Sequence, residues 1–71
     1  MTYAIFDTVV TTVALPQHGI VAGQTGVIVD RYDATSDDYE VEFCNEQGET
    51  VALLPLNSKQ IAPQGALRKV A

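Results

Sequence analysis

The most regular stretch of the chain is Tyr39-Glu40-Val41-Glu42-Phe43, where apolar and acidic residues alternate strictly. A period of two predicts a strand with Tyr39, Val41 and Phe43 on one face and Glu40 and Glu42 on the other. Other segments are apolar on both faces. Residues 5–15 are rich in Val and Thr, without Gly or Pro before Leu15-Pro16, and predict a first strand. Residues 25–32 carry β-branched side chains on both faces and then turn polar, as a second strand does when it starts inside a core and emerges. Residues 49–54 predict a fourth strand after Asn45-Glu46-Gln47-Gly48, a short hairpin in which Gly48 supplies a positive φ. Pro55 is expected to end its pairing. Residues 56–60 are too few for a stable helix and predict one 3₁₀ turn, followed by a brief last strand at Ile61-Ala62.

The connections add to this pattern. Residues 16–24 have turn formers at both ends and a short apolar stretch inside, which predicts a folded-back loop with its middle tucked down. Residues 33–38 form a polar turn whose Asp and Ser side chains bond nearby backbone groups. Five short strands, a long first loop, two hairpins and a 3₁₀ turn before the last strand describe an all-β domain, a small five-stranded SH3-like barrel. A closed or nearly closed sheet also protects edges that a flat sheet exposes. The barrel is expected over residues 1–63, with 64–71 a flexible C-terminal tail. Its expected core is Val9, Val27, Val29, Tyr39, Val41, Phe43, Val51, Leu53 and Ile61.

Length confines the chain to one domain, since 71 residues are too few for two. A composition that is 46% hydrophobic is too apolar for a disordered chain, and no apolar run approaches the ~20 residues of a membrane-spanning helix. Cys44 stands alone and forms no internal disulfide, and the first residues lack the basic start and apolar centre of a signal peptide. These features point to the cytoplasm. Nine acids against four bases give a net charge of −5, which opposes binding to the phosphate backbones of nucleic acid, and neither nucleic acid nor a membrane is expected as a partner. The acids are also concentrated. Asp30, Asp33, Asp37, Asp38, Glu40, Glu42, Glu46 and Glu49 fall within residues 30–49, where Arg31 is the one base, while Lys59, Arg68 and Lys69 fall later.

Candidate chemistry is sparse. His18 is the only His and Cys44 the only Cys, too few N and S donors for a zinc site within one chain. Cys44 sits beside Glu42 and Glu46, and nearby acids disfavour the thiolate of a reactive cysteine. Gly19, Gly23 and Gly26 are followed by no Lys-Ser/Thr pair and open no helix, so they read as turn residues rather than a phosphate loop. Asp37 and Asp38 lack the spacing of an EF-hand. No catalytic residue, cofactor or metal ligand is therefore assigned.

Phe6-Asp7-Thr8-Val9-Val10, the run Leu15-Pro16-Gln17-His18-Gly19-Ile20-Val21-Ala22-Gly23-Gln24-Thr25-Gly26-Val27-Ile28-Val29, the alternating strand, residues 48–53 and Gln60-Ile61-Ala62-Pro63 together resemble a small bacterial family, domain of unknown function 4926. The resemblance runs from about Phe6 to Pro63 and implies an SH3-like barrel, with no catalytic residues to carry over. A weaker similarity, Gly23-x-x-Gly26-x-Ile28 leading into a hairpin, is to the KOW motif of ribosomal and transcription-factor barrels, from whose nucleic-acid binding the acidic balance departs.

The expected function is a non-enzymatic protein-protein interaction module, an accessory subunit or a toxin-neutralising partner. Its partner is another protein with a basic surface, steered by Asp37, Asp38, Glu40 and Glu42 or docked on the apolar loop at Ile20 and Val21. The alternative is a small hydrolytic or metal-assisted enzyme assembled across a homo-oligomer from His18 and the acidic turn.

Overall fold

A computed structural model describes residues 3–32 and 36–65. Its strands are β1 (Thr8–Thr11), β2 (Thr25–Arg31), β3 (Asp38–Cys44), β4 (Thr50–Asn57) and β5 (Ile61–Pro63). They form one antiparallel five-stranded sheet in the order β4-β3-β2-β1-β5. The protein is thus all-β. The return of β5 to the side of β1, directly after a 3₁₀ turn at Ser58–Gln60, is the strand order that an SH3-like barrel requires. Among the described residues no ladder joins β4 to β5.

The alternating segment behaves as its period demands. Tyr39, Val41 and Phe43 are buried, while Asp38, Glu40 and Glu42 face outward. β3 pairs along its whole length with β4 and over its inner part with β2, so every other strand takes its inward face from this register. Opposite residues of an antiparallel ladder share a face. Ile28 lies opposite Val41, and Ala52, Leu54 and Leu56 lie opposite Phe43, Val41 and Tyr39.

Four expected core positions are therefore corrected. Ile28 is fully buried, whereas Val27 and Val29 are only half-buried. Ala52 and Leu56 are buried, whereas Val51 and Leu53 are exposed. The sequence is apolar on both faces in each place, so its period cannot choose a side; the bulk of Phe43 does, by taking small Ala52 as its cross-strand partner. Two register shifts, at Val29 between Ile28 and Asp30 and at Val51 near Phe43 and Cys44, also break the simple alternation. The Val29 bulge separates the part of β2 that pairs with β1 from the part that runs on beside β3.

The first strand is shorter than expected at both ends, Thr8–Thr11 against residues 5–15, and β4 runs on past Pro55. The first strand begins only at Thr8, because Ala4 to Asp7 forms a turn: Asp7 N–H donates to the Ala4 carbonyl at 3.0 Å and the Asp7 carboxylate accepts from Ala4 N–H at 2.9 Å, while Phe6 N–H and the Asp7 carbonyl still bond the backbone of Ile28 in β2. Phe6 occupies this turn at φ 72°, a left-handed conformation rare for a bulky residue. Pro55 does not end β4 but lies within it, opposite Glu40.

The remaining core is supplied by Tyr3, Val9, Ile20 and Ile61, with Leu15 and Leu54 packed against it. The first loop is anchored as expected: a 3₁₀ turn at Pro16–His18 closes on Gly19, Leu15 bridges to Ile20, and Ile20 is buried. Its base is fastened by Thr11, a fully buried residue whose hydroxyl lies 2.8 Å from the Val13 carbonyl and 3.2 Å from that of Gln60. Gly26 also faces this core, where a Cβ would come within 2.8 Å of Val41 Cγ1 and 2.9 Å of Phe43 Cε1. The expected tail beyond Gly65 and residues 33–35 of the polar turn lie outside the described residues.

Candidate functional site

The outward positions of β3 gather the acids into a strip. Asp38, Glu40 and Glu42 share one face, and Asp30 of β2 lies directly opposite Glu40. Like charges directly opposite one another cost stability. The carboxylates are held by neutral donors: Glu40 accepts from the Tyr32 hydroxyl, and Glu42 from the Thr50 hydroxyl. Asp38 Oδ1 accepts from Asn57 Nδ2 at 3.2 Å. Asp37 lies just before the strand, where its carbonyl accepts from Ser58 N–H at 2.8 Å and its side chain is exposed.

Apolar surface borders the strip. Thr8, Val27, Glu42 and Leu53 form one row across four strands, and Leu53 is 52% exposed. Val51 and Pro55 flank Leu53 along β4 and are exposed. Of the two loop residues expected to meet a partner, Val21 is exposed but Ile20 is not. Ile20 is the side chain that anchors the loop, so it presents no surface and is removed as a contact. Phe6, 75% exposed on its turn, is an apolar surface residue that the sequence did not reveal, because Ala4-Ile5-Phe6-Asp7 contains no Gly or Asn to mark a positive φ.

His18 lies on the other side of β4. With Leu15 and Gln17 it faces Leu54, Pro55, Leu56 and Gln60 across a shallow cleft of about 210 Å³. Among the described residues no carboxylate lines this cleft, so it does not set His18 beside Asp37 or Asp38. Cys44 is exposed at the end of β3. Among the described residues no three His, Cys, Asp or Glu side chains are grouped to hold a metal ion.

Among the described residues the Tyr3 phenol is clearly perturbed. Burial raises the Tyr3 phenol above its ordinary 10.0, with the neighbouring Tyr39 and Asp7 acting in the same direction. The Tyr3 ring meets Tyr39 edge-on at 5.6 Å, its backbone N–H donates to the Tyr39 hydroxyl at 3.1 Å, and its own hydroxyl points to the Ile61 carbonyl at 3.5 Å. Arg31, opposite Tyr39 in the ladder, lies 5.8 Å from the centre of the same ring. This cluster closes one end of the core.

Fold and surface together define a class: an all-β domain of five antiparallel strands whose outer face joins a carboxylate strip to exposed aliphatic side chains. The chain belongs to the family described as Domain of unknown function (DUF4926), which it matches over residues 5–63. No curated protein and no solved structure matches it. Among the described residues no helix is long and apolar enough to cross a membrane.

Proposed function

We propose that this domain is a non-enzymatic protein-protein interaction module, an accessory subunit or toxin-neutralising partner of the bacterial cytoplasm, which docks a basic surface. The observation that carries the reading is the outer face of β2 to β4, where Asp30, Asp38, Glu40 and Glu42 lie beside exposed Leu53. A cluster of carboxylates draws Lys or Arg from a distance, and the adjacent leucine offers such a partner apolar surface to bury. The same charge repels phosphate backbones, which makes nucleic acid and anionic membranes poor partners.

The test is association with the protein encoded beside this one, followed over a salt series for the natural chain and for a variant with Asp37, Asp38, Glu40 and Glu42 neutralised. The natural chain should associate faster and lose that advantage as salt shortens the ~8 Å Debye length. Equal rates with equal salt slopes reject the acidic face as the docking surface. The alternative reading, an enzyme assembled across a homo-oligomer, draws no support from the cleft of one chain, where among the described residues no carboxylate lies beside His18.

A further inference from the structure

β4 is the long edge of the sheet, eight residues against three in β5. Which of its backbone groups face solvent follows from two observations. Proline fits a ladder where its nitrogen points away from the neighbouring strand, and Pro55 sits opposite Glu40 inside β4. Two residues on, Asn57 N–H donates not to β3 but to Gln60 Oε1 at 2.8 Å. Both place residues 55 and 57 with their backbone groups outward, and a period of two then turns the N–H and C=O of Leu53 outward as well. Among the described residues no loop or turn hydrogen-bonds the backbone of residues 51–56. Pro55 offers only its carbonyl, so an added strand finds its full station at Leu53 and a single acceptor beyond it.

From this placement we propose that the β4 edge at Leu53 accepts an extended segment of a partner protein as an added strand, with a Lys or Arg of that segment opposite Leu53. A residue opposite Leu53 points to the outer face, along the row that continues to Glu42. Two strand spacings, about 10 Å, separate its backbone from that of Glu42, a span that Lys or Arg and Glu side chains bridge between them. Charge selects this occupant over a second copy, since two chains of net charge −5 would bring their own acidic strips together. The proposal rests on the interaction reading above and adds to it the strand and the mode of binding.

The probe is a capped octapeptide of alternating Lys and Val, with a Glu-Val peptide as control, titrated into isotope-labelled protein. Binding should slow amide exchange at Leu53 and shift the resonances of residues 51–55, and the Glu-Val peptide should leave them unmoved. Leu53→Pro removes an outward donor while sparing the bonds to β3, as Pro55 already does, and should weaken binding about tenfold. Should that variant fold poorly, exchange at Leu53 in the natural chain still decides. No slowing at Leu53 with peptide at millimolar concentration overturns the proposal. So does a dimer in the absence of peptide that Leu53→Pro dissociates, which would assign the edge to a second copy. If Glu40→Gln with Glu42→Gln abolishes binding while Leu53→Pro does not, the acidic reading stands and strand addition falls. If Leu53→Pro alone abolishes it, strand addition stands and the acidic reading falls.

Discussion

Phe43 and Glu42 are neighbours in sequence with opposite fates, and they set the range of what a single side chain contributes. Phe43 is fully buried, so Phe43→Ala should cost about 3–5 kcal/mol in urea unfolding, while Glu42→Ala stays within about 0.5 kcal/mol. Equal losses would mean that the faces of β3 are reversed. Gly26 is constrained by space rather than by φ. Its hypothetical Cβ meets Val41 and Phe43, both buried and unable to yield, so Gly26→Ala should cost about 1–3 kcal/mol in the same measurement. Tyr3 makes a prediction in pH. Its phenol is raised in the folded state, so the unfolded chain deprotonates first; the contribution of Tyr3 is complete below the ordinary 10.0 and is lost as pH rises through the folded value. Stability curves of the natural chain and Tyr3→Phe should run parallel below that pH, and the natural chain should then fall more steeply. Parallel curves throughout would show that burial does not disfavour the phenolate.

At the scale of the element, the 3₁₀ turn at Ser58–Gln60 is specified by reciprocal caps. The Asn57 side chain accepts from Lys59 N–H at 2.9 Å, and the Gln60 side chain accepts from Asn57 N–H. Asn57→Ala should cost about 1 kcal/mol in thermal unfolding, and an unchanged Tm would show the turn to be held by its neighbours alone. The strands differ in how openly they declare themselves. β3 was legible because its acids and apolar residues alternate, and alternation fixes both the element and its face. β4 was legible as an element but not as a face, since Val51-Ala52-Leu53-Leu54 offers a hydrophobic residue to either side and only contact with Phe43 and Val41 decides. The start of β1 was not legible, because the turn through Phe6 is made by a residue whose type argues against it.

For the whole molecule, strand number, loop lengths and the turn before β5 pointed to an all-β domain of five strands. Carboxylates on β3 were legible for the same reason as β3 itself. Their neighbours were not: Leu53 beside Glu42, and His18 facing Leu54, are relations between distant segments that only the register creates. The Tyr3 contact with Ile61 has a consequence of another kind. It sets the beginning of the described chain against the last strand, so residues after Pro63 can be tied to residues before Tyr3 by a short connection. The tip at Asn45 to Glu49, exposed throughout and bonded mainly within itself, is then a natural place to open the loop so formed. A chain rewired in this way begins with β4 and ends with β3 yet asks for the same sheet, and its native-like spectrum with a lowered Tm would show that the architecture belongs to the contacts and not to the order in which synthesis visits them.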